Sequence, residues 1–129
     1  MISQAYANTL LDQLYGSGTP ATLYFALFTS APAADGTGGT EVTGGSYARV
    51  AVTNNATNFP AAASGQKSNG TAIVWPTATA DWGIVTDLVV ISTSSGAGTR
   101  YDWGALDTPK TILNGDAFSI AATQFVITD

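Results

Sequence analysis

The chain has 129 residues, no cysteine and no histidine, and only 10% of it is charged, for a net charge of −5. These numbers exclude disulfides, Cys/His zinc sites and every catalytic constellation built on histidine or cysteine. The four basic residues, Arg49, Lys67, Arg100 and Lys110, are scattered, so no basic stripe tracks a phosphate backbone and direct nucleic-acid binding is not expected.

The length suits one domain, which buries roughly two-thirds of its unfolded surface without a metal or disulfide. A charged fraction well below the typical quarter leaves Thr, Ser, Asn, Gly and Ala to dress the surface. That suits a protein that works assembled with others. The first residues lack the basic and apolar regions of a signal peptide. The longest apolar run is far short of the ~20 residues that span a bilayer. The expectation is synthesis in the cytosol and no membrane partner.

In chain order, residues 3–15 read as a helix, with Ser3 at its N-cap and Gly16 at C′. Tyr6, Leu10 and Leu14 recur on one stripe. This stripe either caps the chain's own fold or packs on a neighbouring subunit. After a Ser17–Pro20 linker, Thr22–Thr29 reads as a strand with two apolar faces: Leu23, Phe25 and Leu27 on one, Tyr24, Ala26 and Phe28 on the other. Ser30–Thr40 is a long Gly/Pro-containing loop of the kind that carries function or mobility. Gly44-Gly45 marks a turn or bulge. Tyr47–Thr53 alternates, with Tyr47, Arg49, Ala51 and Thr53 on a wet or partner-facing side.

Asn54–Asn69 is polar, either a wide loop or two weak strands, and Thr71–Trp75 is a short strand. Pro76–Gly83 connects it to the longest apolar run, which ends in Val89-Val90-Ile91. A strand with no polar alternation is covered on both faces and is central to its sheet. Thr93–Thr99 turns it back as a hairpin into Arg100–Leu106. Asp107–Lys110 is a further turn, and Asn114-Gly115 is a hairpin signal. Phe118–Thr128 is the closing strand, with a break at Ala121–Thr123. The fold class is therefore all-β: a single β-sandwich or jelly-roll-like domain of about seven or eight antiparallel strands with one N-terminal helix. Residues 1–18 form an N-terminal helical arm and residues 19–129 the β-sandwich domain.

Several segments, in this order, carry a family resemblance: Thr19–Phe28, Gly44–Val52, Pro76–Gly83, Gly104-Ala105-Leu106, Lys110-Thr111-Ile112 and Asn114-Gly115-Asp116. Together with the leading helix they resemble small tailed-phage virion proteins labelled as tail fibre proteins. The resemblance implies a phage structural protein, located in the virion and assembled in the host cytoplasm. Its size and class look like those of capsid decoration (cement) proteins, which form trimers over the capsid lattice. On that likeness the expected role is to bind the outside of the head and stabilise contacts between capsid subunits, with a second copy (as a homotrimer) and the major capsid protein as partners. The alternative is a tail fibre, adaptor or receptor-binding module on the tail.

The acids offer little chemistry. Asp81 and Asp102 each precede a tryptophan, as a sugar-cleaving dyad would want, but acids at strand ends usually solvate turns. Asp35-Gly36-Thr37-Gly38 and Asn114-Gly115-Asp116 lack the ligand density of a calcium loop, and turn chemistry explains both. Trp75, Trp82 and Trp103 are either a carbohydrate platform or, as aromatics more often are, core and subunit contacts. No enzymatic activity, catalytic residue, cofactor or metal is expected. The residues expected at an interface are Tyr6, Leu10 and Leu14 of the helix, Asp35 and Thr37 of the long loop, Arg49 and Trp82. For Arg49 the choice lies between an ion pair across an interface and a solvated edge charge.

Overall fold

In the computed structural model, which describes residues 12–128, the apolar runs become two nine-residue strands paired in one sheet. The strands are β1 (Thr22–Ser30), β2 (Thr40–Glu41), β3 (Val50–Thr53), β4 (Gln66–Ser68), β5 (Ile73–Val74), β6 (Gly83–Ile91), β7 (Arg100–Ile112), β8 (Ser119–Ile120) and β9 (Val126–Thr128). The largest sheet runs β2-β1-β6-β7, with β3 also paired to β1, and two small sheets pair β4 with β9 and β5 with β8. The pairings of β1 with β2, β1 with β6, β6 with β7 and β4 with β9 are antiparallel. The all-β class stands, with more strands than the sequence suggests because β2, β5 and β8 are each two residues long.

Two compact units share the described residues. One comprises 12–23, Val52–Ile73 and 119–128; the other comprises Tyr24–Ala51 and Val74–Phe118. In the second unit, register explains why β1 and β6 are apolar on both sides. Ala26 lies opposite Val89 and Phe25 opposite Val90, and all four are buried. Ala26, Phe28, Val89 and Ile91 cluster on one face, with Tyr24 and Trp103 packed against them. Phe25, Leu27, Leu88 and Val90 are buried on the other. Each fully buried Leu, Val or Phe contributes about 1.5–3 kcal/mol, so this strand pair is the energetic centre of its unit.

The Trp75–Gly83 connection is laced to the 113–116 turn. The Ala78 N–H donates to the Asp116 carbonyl (2.9 Å), the Gly115 N–H to the Ala78 carbonyl (2.7 Å) and the Trp82 N–H to the Ile112 carbonyl (2.9 Å). Trp75 packs on Phe118 with ring centroids 5.3 Å apart. Asn114-Gly115 makes a turn here, but not the hairpin expected. Of the pair only Gly115 has a positive φ, +91°. A hairpin of the I′ kind needs positive φ at both central residues, whereas this arrangement is that of a type II turn. The chain after it accordingly leaves β7, and β8 pairs with β5.

Other local expectations shift for similar reasons. Residues 47–49 are not strand: Gly44-Gly45 turns, the Tyr47 N–H closes on the Gly44 carbonyl (2.9 Å), and β3 begins only at Val50. Asp107–Lys110 does not end the strand. Instead the register jumps from Ala105 opposite Asp87 to Lys110 opposite Val85, so residues 106–109 bulge from a strand that runs on to Ile112. The closing strand breaks at residues 121–125, which include the expected break at Ala121–Thr123, into β8 and β9. The outer edge of β7 is blunted by that bulge, by Pro109, and by the Asp102 carboxylate, which accepts the N–H of Trp103 at 2.9 Å.

In the first unit, residues 12–14 are helical and Gly16, at φ +85°, ends the turn as read from the sequence. Residues 1–11, with Tyr6 and Leu10, lie outside the described residues. Tyr15, 2% exposed, packs on Phe59 and Phe125 with centroids 5.4 and 6.1 Å away. Buried Asn54 donates to the carbonyls of Leu14 (2.7 Å) and Pro20 (2.9 Å) and accepts the N–H of Gly16. Buried Lys67 reaches Asp12 at 2.6 Å.

Candidate interaction surface

At the β1–β2 connection and the β6–β7 hairpin of the second unit, both loops are tied down. Ser30 is extended into residues 31–39, which make their own turns: the Gly36 N–H donates to the Ala33 carbonyl (2.8 Å) and the Ala33 N–H to the Thr37 carbonyl (2.7 Å). Asp35 Oδ1 accepts both the N–H (3.1 Å) and the hydroxyl (2.7 Å) of Thr37. These bonds, the hydroxyl first, hold the Asp35 carboxyl below its ordinary range. The loop is fixed to the sheet by Arg100, whose Nη1 donates to the carbonyls of Gly36 and Gly38, each at 2.7 Å. The same guanidinium lies over the Phe28 ring at 5.0 Å. Trp103 covers Gly36, where a Cβ would stand 2.6 Å from the ring and where φ is +85°. Only glycine fits there.

The hairpin loop is held by the second arginine. Arg49 Nε and Nη2 make a bidentate pair with Glu41 (both 2.9 Å), while Nη1 donates to the Thr93 carbonyl (2.9 Å) and Nη2 to the Gly96 carbonyl (2.9 Å). Glu41 also accepts the Tyr47 hydroxyl at 2.7 Å, and that hydroxyl accepts the N–H of Leu27 (2.9 Å), supplying β1 with a partner where no strand lies alongside. Burial would raise the Glu41 pKa, but the bonds from Arg49 and Tyr47, with the charges of Arg49 and Arg100, outweigh it and hold the carboxyl below its ordinary value. Burial, then the bond to Glu41, push the Tyr47 hydroxyl well above the usual tyrosine range. No group in this network is poised to exchange a proton near neutral pH. Its product is shape: two loops locked to one sheet, with Asp35, Thr37, Ser94 and Ser95 exposed on them.

A family model described as podophage GP4 fiber I protein gp80 matches residues 1–128. The chain belongs to this family. No curated protein matches it. Membership in a phage fibre family makes the chain a virion structural protein of the fibre type.

Of the residues expected at an interface, the fold places Asp35 and Thr37 in the 31–39 loop and Arg49 against the β6–β7 hairpin loop. Asp35 bonds Thr37, and Arg49 anchors the hairpin, its acid being Glu41 of its own chain rather than a neighbour's. Trp82 is buried, donating its indole N–H to the Gly45 carbonyl (3.0 Å) and meeting Tyr47 edge-on at 5.4 Å. It therefore supports the network from beneath. Leu14 belongs to the other unit and is half-buried. Trp75 and Trp82 are core residues and Trp103 covers Gly36, so the three do not form an exposed platform. Asp81 and Asp102 are spent on the backbone N–H groups of Asn114 and Trp103. Sequence reasoning missed Arg100, Glu41 and Tyr47. Their partners are backbone carbonyls and each other, and the only available hint was that Arg100 directly follows the hairpin loop. Among the described residues, no cluster of three or more acidic, histidine or cysteine side chains could hold a metal ion.

Proposed function

We propose that the chain is a module of a phage tail fibre that uses the loops locked by Arg49 and Arg100 to seat a protein partner. The match to a fibre family over residues 1–128 carries this reading; the pinned loops support it, because a surface ordered before binding loses less entropy on binding. The role is passive and involves no catalytic step. Its holding energy comes from shape and apolar contact rather than charge, in keeping with the 10% charged fraction.

Head decoration by homotrimers seated on the major capsid protein shares the low charge, but no feature of the geometry favours it over the fibre. Gold-labelled antibody on purified particles, with quantitative mass spectrometry of copy number, separates the two. Tail labelling with a copy number matching the tail's rotational symmetry is expected. Labelling spread over the head, at a copy number that scales with the capsid lattice, would sink the fibre reading. The oligomeric state in solution follows from light scattering coupled to size exclusion.

A further inference from the structure

The chain contains two Asn-Gly dipeptides, Asn69-Gly70 and Asn114-Gly115. Asn-Gly is the sequence at which an asparagine side chain is most open to attack by the next residue's backbone nitrogen, because glycine offers no side chain to hinder it. The fold treats the two pairs differently. Asn69 is 1% exposed. Its Nδ2 donates to the carbonyls of Thr71 (2.8 Å) and Ala121 (3.0 Å), and its Oδ1 accepts the N–H of Phe125 (2.9 Å). The nitrogen that would attack it, that of Gly70, is committed to the Asn58 carbonyl at 2.6 Å. Reaction at Asn69 would break all four bonds inside a packed interior.

Asn114 is exposed at the tip of its turn, and among the described residues its side-chain amide has no hydrogen-bond partner. What holds this turn is bonded through its backbone: the Gly115 N–H, on the nitrogen that would attack, donates to the Ala78 carbonyl at 2.7 Å, and the Asn114 N–H to Asp81 at 2.8 Å.

We propose that Asn114 is a site of spontaneous deamidation in the folded protein and that Asn69 is not. The Gly115 nitrogen forms a bond to Asn114 Cγ, the Cγ–N bond of the amide breaks, and the side-chain nitrogen leaves as ammonia with the proton from Gly115. Solvent water then opens the cyclic imide at either carbonyl, giving aspartate or isoaspartate. The product carboxylate arises in an acidic setting. Asp81 already accepts the N–H of Asn114 (2.8 Å) and Asp116 the N–H of Leu113 (2.9 Å). The isoaspartyl form also inserts a methylene into the main chain of the turn, which removes the fit of Gly115 to Ala78. The modification therefore adds charge and loosens the turn against the 76–82 connection.

The test is peptide mapping by mass spectrometry of the full chain aged in warm, mildly alkaline buffer, folded and in urea, with isoaspartate read by enzymatic methyl labelling. In the folded protein, Asn114 converts and Asn69 keeps its amide. In urea both convert at similar rates, and Asn114 faster than when folded. Equal conversion of the two in the folded protein overturns the proposal. So does a folded Asn114 that stays intact while the urea sample converts. Asn114→Gln removes the acidic species that accumulates on isoelectric focusing of the folded protein; its persistence in that variant also counts against the assignment.

Discussion

Replacing Arg100 by alanine should free the 31–39 loop while leaving the sheet beneath it intact. The side chain makes two hydrogen bonds to the carbonyls of Gly36 and Gly38 and lies over the Phe28 ring. Bonds to a charged donor contribute about 1.5–3 kcal/mol each when buried, and a half-exposed cation–π contact about 0.5–1 kcal/mol. Water replaces part of both at this half-buried site, so the net loss is about 2–3 kcal/mol. At 1.4 kcal/mol per tenfold, the loop should open about 30- to 140-fold more often. Amide exchange of Gly36, whose N–H is bonded within the loop to Ala33, reports that opening directly. Exchange of Val89 and Val90, in the β1–β6–β7 ladder, should hardly move. Arg100→Lys, which keeps the cation but not the planar fork, should fall between. Unchanged Gly36 exchange in a folded Arg100→Ala protein would show that Trp103 and the loop's own turns hold it unaided, and the clamp would be refuted.

Glu41→Gln should cost stability at neutral pH and less in acid. The carboxyl is held below its ordinary 4.5, so its contribution is complete above that value and disappears as pH falls through the lower, folded-state pKa. Melting curves should therefore converge as pH drops, and a constant gap between wild type and variant contradicts the assignment. A double-mutant cycle of Glu41→Gln with Arg49→Met should return a coupling of about 1–2 kcal/mol, as for partners in one network; additivity within experimental error argues against the pair. Asn54→Asp replaces two donated bonds with carboxylate–carbonyl repulsion at Leu14 and Pro20, at a cost of about 3 kcal/mol. Urea denaturation measures it, and a change under about 0.5 kcal/mol rules the arrangement out. Asp102→Ala uncaps the N–H of Trp103 on the β7 edge, so light scattering on heating should rise sooner than in wild type; identical scattering means the bulge and Pro109 guard the edge without Asp102.

β1, β6 and the hairpin between β6 and β7 could be read in advance because each follows from apolar patterning or turn composition over a short window. The Asn114-Gly115 hairpin misled because the same dipeptide serves type I′ and type II turns, and the choice was made by distant groups at Ala78 and Asp81 that hold the turn from the side. Tyr47–Arg49 alternates like a strand, yet its polar side chains are used against Glu41, Leu27 and the hairpin loop, so its backbone never joins the ladder. The surface was half legible. The 30–40 loop and Arg49 stood out by composition, but what locks them did not, since Arg100 grips glycine carbonyls and a carbonyl leaves no trace in the sequence.

The ring trio Tyr15, Phe59 and Phe125 bears on how the protein is made. Its members come from three segments separated along the chain by most of its length, and Asn69 likewise waits for the carbonyl of Ala121 and the N–H of Phe125. During synthesis, the unit holding the β1–β6–β7 sheet has all its residues once Phe118 has been added. The other unit must hold its early segments open until Phe125 has left the ribosome. Tyr15 and Phe59 thus wait from their own synthesis until that of Phe125 for their third partner, and the rate at which residues 119–125 are delivered sets how long that apolar surface is exposed.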